Sequence, residues 1–312
     1  MNVEKHAGRL KQIKIYLGKE FRMFIFQNDW KVLPMAAVIA GIVSFAVGGS
    51  LFQTMEGTAT GTFALACVCV WNGFFNSIQV ICRERAIVKR EHRSGMHISS
   101  YVVAHMLYQA FLCILQSAII IGICVLTGVK FPQKPLFIQL PFVDYGITLF
   151  LITFSADMLA LLVSAIARTT TGAMTVMPFL LIIQLVFAGT MFNLPEATKP
   201  IQDMTITKWG MTALCAQADY NALPMVSVWN SLAKMKDVEV EGEKPIKEVL
   251  VYIEQNDLKT DFLMDTAGYN TKPEYDHDAK SIAECWGWII LWALVYVILT
   301  VAVLEFIDKD KR

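Results

Sequence analysis

Long stretches without a charged side chain alternate along this chain with short segments in which charges crowd. Residues 32–51, 60–82, 99–129, 145–167, 169–192 and 285–304 hold no Asp, Glu, Lys or Arg apart from Asp157. A helix needs about 20 apolar residues to cross a hydrocarbon layer of about 30 Å. Six membrane-spanning helices are therefore expected, at about 32–51, 60–82, 99–129, 145–167, 169–192 and 285–307. Only helices and closed barrels satisfy their backbone in lipid, and barrel strands alternate over about 10 residues instead of staying apolar throughout. The expected fold is an all-α membrane protein of six spans, with an amphipathic interfacial helix at the N-terminus and a large outer loop before the last helix.

Charge sets the expected orientation. Lys and Arg gather in short segments on the cytoplasmic side. With both termini inside, sixteen of the 27 basic residues fall in such segments: residues 5–31, 83–93, Arg168 and 309–312. Lys130 and Lys134 are the basic residues of the short outer connections, and nine more lie in one long loop. The charged N-terminal residues 1–31 do not read as a signal peptide. Overall, 55% of residues are hydrophobic and 17% charged, and mean hydropathy is +0.48. The net charge is zero, which gives no reason to expect nucleic acid as a partner; the lipid bilayer is the expected surrounding.

Residues 10–24 have helical spacing, with Leu10, Ile13, Leu17, Phe21 and Phe24 on one face and Lys11, Lys19 and Arg22 opposite. That predicts a helix at the inner interface, either a simple anchor or an elbow that touches a partner. Residues 83–98 form a compact charged loop between the second and third spans. Anionic lipid would attract its basic residues, but Glu84 and Glu91 interrupt the positive charge and suit paired contacts with protein. The loop at 193–284 carries nine basic and sixteen acidic residues and is too long for a plain connector. Within it, residues 245–253 predict a short helix: Pro245 stands at its first position and Ile246, Val249, Leu250 and Ile253 share a face. Its first part, to Trp229, suits the membrane surface or a dip into it.

Five of the seven cysteines lie in or beside predicted spans as small hydrophobes. Free thiols are the expected state of Cys215 and Cys285, with a disulfide as the alternative. No metal site is expected; Asp276, His277 and Asp278 read as a solvated turn. Gln184 must face protein or a cavity, because a mid-span amide is expensive in lipid. Asp157, an acid inside a span, is a functional candidate by default; pairing with Ser155 or Ser164 would make it structural.

The run Glu84-Arg85, then Lys89-Arg90-Glu91, then Gly95 and Tyr101 resembles the first intracellular loop of ABC-2 type permeases. It is closest to the G-subfamily of ABC transporters, whose pattern reads E-R-x-x-x-x-R-E-x-x-x-G before an apolar helix. Residues 187–194 (FAGTMFNL) resemble the end of the fifth span in that group, and residues 206–214 (ITKWGMTAL) the outer segment that follows. Residues 234–280 look like an insertion.

The resemblance implies two paired membrane domains, identical or not, each resting on an ATP-binding subunit that supplies ATP and Mg; this chain would bind no cofactor itself. It implies an exporter in the cell membrane, working by alternating access. Glu84, Arg85, Arg90, Glu91 and Gly95 would take up the ATPase stroke. Asn72, Phe75 and Asn76 of the second span and Ile182 and Leu185 of the fifth would line the substrate path, with plain helix packing as the competing reading. Thr190 and Met191 match a gate where the family usually has two bulky apolar residues, and Thr190 departs from that. No GxxxxGK[ST] phosphate cradle occurs, so the chain is not expected to be an enzyme, and hydrolysis would come from a partner. The competing class is a non-transporting sensor or scaffold whose outer loop binds a ligand.

Overall fold

The computed structural model describes residues 8–26, 29–132, 136–138, 140–189, 195–239 and 243–306. The expected gate, Thr190 and Met191, and the C-terminal tail 308–312 lie outside the described residues. The described chain is helical: α1 (Arg9–Phe26), α2 (Val32–Val47), α3 (Met55–Ser77), α4 (Val80–Arg93), α5 (Ile98–Leu126), α6 (Pro141–Ile166), α7 (Thr170–Val186), α8 (Lys199–Asp203), α9 (Ile206–Gln217), α10 (Ser227–Lys234), α11 (Pro245–Gln255), α12 (Lys259–Gly268) and α13 (Ala279–Glu305).

Four helical stretches are long and apolar enough to cross a membrane: Met55–Arg93, Ile98–Leu126, Phe142–Ile166 and Ala279–Glu305. The first joins α3 and α4. Helices α2 and α7 are apolar but shorter, with 16 and 17 residues. At 1.5 Å per residue each rises about 25 Å, a little less than the hydrocarbon thickness. Helix α7 ends at Val186, short of the expected residue 192, and α3 ends at Ser77, with the expected residues 80–82 falling in α4.

Helix α6 is the hub. It packs against α3, α13, α5, α9 and α4, and the buried core gathers around its Leu149, Ile152, Ala156, Leu161 and Ala165. A glycine brings α3 closest to it: a Cβ on Gly73 would stand 2.4 Å from the Thr153 carbonyl oxygen and 2.7 Å from the Asp157 nitrogen. Gly57 and Gly61 are also filled in, by Ser50 and Leu51 of the preceding turn instead of by another helix.

The segment after α7 re-enters the bundle. Helix α9 is buried along almost its whole length and packs on α13, α6 and α3. Its first free backbone donors are met by Gln184 of α7: the amide oxygen accepts from the N–H of Ile206 (2.9 Å), the N–H of Thr207 (3.3 Å) and the Thr207 hydroxyl (3.2 Å). A mid-span amide thus satisfies donors that a helix start leaves open. The remaining loop is stitched to the start of α3, where the Glu56 carboxylate accepts from the N–H groups of Val226 (3.2 Å) and Ser227 (2.7 Å). Helices α10, α11 and α12 share a small core of Trp229, Leu250 and Ile253, backed by Ile246 and Phe262. The predicted helix at 245–253 forms, but Val249 is exposed instead of sharing the buried face.

Cys215 and Cys285 are free thiols; Cys215 sits 3.3 Å from the Thr62 hydroxyl. In the turn before α13, His277 contacts the Ala216 carbonyl (2.8 Å) and Asp276 accepts from Asn221 (2.6 Å).

Gly73→Ala should lower stability by about 1–3 kcal/mol, because the new methyl meets backbone on α6. Gly122→Ala, which has open space around it, should not. Thermal melts of both variants purified in detergent check this, and equal melting of Gly73→Ala and the parent protein would contradict the close approach.

Candidate functional site

Helix α4 continues the direction of α3 after a two-residue break at Ile78 and Gln79. Its early donors point at α6: the Ser164 hydroxyl oxygen accepts from the N–H of Ile81 (3.0 Å) and of Cys82 (3.1 Å). One turn on, the Arg85 guanidinium donates to the carbonyls of Ala165 (2.7 Å) and Ala167 (3.2 Å). These belong to the last turn and C-cap of α6, where carbonyls lack helical partners. Each helix thus completes the open end of the other.

The far end of α4 is closed by Gly95, whose φ of 99° is left-handed. The N–H of Gly95 bonds the His92 carbonyl (3.1 Å) and the N–H of Met96 bonds that of Glu91 (3.0 Å). This is a full Schellman closure, which favours glycine at that position.

Helix α1 grips α4 from the side. Lys19 Nζ stands 2.6 Å from Glu84 Oε2, and the Tyr16 hydroxyl donates to Glu91 Oε2 (2.7 Å). Burial first, and the Glu91 carboxylate second, hold the Tyr16 phenol well above its ordinary range, so it keeps the proton that it donates. Gln12 donates to the Gly95 carbonyl (3.2 Å) and accepts from the His97 N–H (2.9 Å), clamping the turn into α5. Lys19, expected on a polar outer face, turns inward instead. The apolar face is split: Phe21 and Phe24 meet Tyr108 of α5 edge to face, while Leu10 is exposed. What α4 leaves outward is Arg83, Ala86, Ile87, Arg90 and Arg93, a basic stripe with one exposed isoleucine.

Beside these contacts lies a cavity of about 300 Å³, lined by residues of α1 to α5 and α7, among them Glu20, Glu84, Phe75, Asn76, Gln109 and Met174. Pro178 interrupts α7 one turn after Met174, so the Met174 carbonyl lacks its helical donor. Behind the cavity is a polar cluster. Asn76 exchanges two hydrogen bonds of 3.0 Å with Gln116 of α5 and donates to Asp157 Oδ2 (3.4 Å), which the Cys113 thiol also approaches (3.6 Å).

The structure thus brings Glu84, Arg85, Glu91 and Gly95 into one joint, with Arg90 exposed beside it. It places Phe75 and Asn76 on the cavity. Asn72 is buried one turn back on α3. Ile182 is exposed and Leu185 half-buried on α7, and neither lines this cavity. Asp157 is fully buried and pairs with Asn76; Ser164 caps α4 instead, and Ser155 has no hydrogen bond among the described residues. Missing from the sequence reading were Gln12, Tyr16 and the inward turn of Lys19, and the stripe of His105, Gln109 and Gln116 on α5. The stripe had a signal: its spacings of four and seven put three polar groups on one face of an apolar helix.

A bundle with four long apolar helices and two shorter ones, tied together by polar contacts between helices, defines a multi-pass membrane protein. The model of the ABC-2 type transporter family matches residues 11–216, and the chain belongs to that family as a membrane permease domain. It is also 27% identical over 231 residues to an ABC transporter ATP-binding/permease protein of Mycobacterium tuberculosis. That alignment covers 69% of this chain and 26% of the relative, so the chain spans about a quarter of that protein's length.

A double-mutant cycle with Lys19→Gln and Glu84→Gln should give a coupling energy of about 1 kcal/mol, since the lysine is partly open to solvent. Melting of the four proteins measures it; strict additivity would mean that the ion pair does not hold α1 on α4.

Proposed function

We propose that this chain is the membrane half of an ABC exporter, with α2, α3, α5, α6, α7 and α13 as six spans and both termini in the cytoplasm. In this reading a second membrane domain pairs with it, and a separate ATP-binding subunit docks beneath each. The observation that supports this best is the joint around α4. Four attachments, from Ser164, Arg85, Lys19 and Tyr16, fix a charged helix to the bundle, while its exposed face offers Ile87 and Arg90. An anchored helix with a free basic face is suited to receive a push from an acidic partner surface and pass it to α6.

The family membership and a relative whose name joins ATP-binding and permease functions support ATP, taken up with Mg, as the energy source; in this reading a separate subunit binds it. The cavity at Phe75 and Asn76 lies directly behind the joint, which is where a stroke must alter the walls to change access. The exposed apolar faces of α3 (Trp71, Phe75) and α7 (Phe179, Ile182) suit the partner membrane domain and the substrate path between the two.

Arg90→Glu should leave membrane insertion and melting unchanged but cut recovery of the ATPase subunit on co-purification by about tenfold. Glu91→Lys, which breaks the Tyr16 contact, should preserve ATPase recovery yet lose substrate-stimulated hydrolysis. Unchanged recovery and coupling in both variants would remove the joint from the transport mechanism and favour a sensor or scaffold.

A further inference from the structure

Three side chains that are far apart in the sequence meet behind α4. Glu20 of α1, Glu84 of α4 and His105 of α5 are all buried, and one ligand atom from each lies within 4.8 Å of the other two. His105 is only 1% exposed, and neither ring nitrogen makes a hydrogen bond among the described residues. Its Nε2 points toward Glu20 Oε1 at 3.7 Å. Such an imidazole is costly to bury. The Tyr101 hydroxyl, on the neighbouring turn with its ring 4.5 Å from that of His105, is likewise buried without a hydrogen bond among the described residues.

An imidazole and two carboxylates are a donor set for a divalent transition ion. Around a tetrahedral zinc, with bonds of about 2.0–2.2 Å, ligand atoms stand about 3.4 Å apart. The observed separations are a small rotamer adjustment from that spacing. The Lys19 ammonium now neutralises Glu84, but its side chain is 33% exposed and can turn to solvent, leaving the carboxylate for a metal. We propose that Glu20, Glu84 and His105 form a zinc-type divalent cation site whose fourth position is open to water. The ligands come from three helices, so an ion here ties α1 to α4 and α5. This inference does not rest on the transport reading.

The test uses the full-length chain purified in detergent, with any affinity tag removed, stripped by a chelator and titrated with zinc against a chromophoric competitor. One equivalent should bind per chain with a Kd of about 1 μM or tighter. His105→Ala and Glu20→Gln should each weaken that site at least about 100-fold, while His277→Ala and Cys215→Ser should not. X-ray absorption of the loaded protein should show one imidazole with oxygen ligands and no sulfur, which keeps the proposal testable should a variant fail to fold. No stoichiometric zinc, sulfur ligation, or undiminished binding by folded His105→Ala would overturn it. None of those results alters what Arg90→Glu and Glu91→Lys report about coupling.

Discussion

The absence of water in the bilayer core constrains everything else in this structure. A buried donor or acceptor there must find its partner within the protein. The consequence is visible wherever the helices break. Gln184 supplies the acceptor that the start of α9 needs, Ser164 does the same for α4, and Arg85 covers the carbonyls at the end of α6. Polar residues inside the apolar runs are therefore structural ties between helices as well as candidates for transport chemistry. Because each tie joins two elements, the breaks that would weaken a helix become the places where the bundle is fastened.

The same constraint separates two kinds of polar group. At the joint, carboxylates are matched across helices and partly open to solvent: Glu84 with the Lys19 ammonium, Glu91 with the Tyr16 hydroxyl. Deeper in, Asp157 has neutral partners, Asn76 and Cys113, and Asn76 is also held by Gln116. The cavity lies between these layers, so Asn76 touches both the cluster behind it and the space in front. The joint and that asparagine are linked along α4 and α3, which are continuous apart from two residues.

Much of this was legible in the sequence. Charge-free runs gave the apolar helices in order, and the compact charged loop at 83–98 became α4, because its residue types favour a helix whichever way the chain turns. Pro245 and the face ending at Ile253 gave α11. The misses share one cause. Lys19 was assigned outward because local periodicity sees only its own helix, whereas its partner Glu84 is 65 residues away. Asp157 was matched to serines near in sequence, and its true partner came from α3. The convergence of Glu20, Glu84 and His105 was invisible for the same reason. The break at residues 78–79 and the end of α7 at Val186 were missed because apolar composition does not mark where the backbone interrupts or leaves a helix.

Gly73, Ser164 and Arg85 fasten α3 and α4 to α6 at three successive levels. Helix α7 hangs from the end of α6 by residues 167–169 and carries Pro178 in its middle. A torque applied at α4 therefore turns α3 and α6 as one stiff rocker, with little lost in soft linkage. The compliant member is α7. Were the space beside α3 to widen, that proline would be the place where α7 bends most easily.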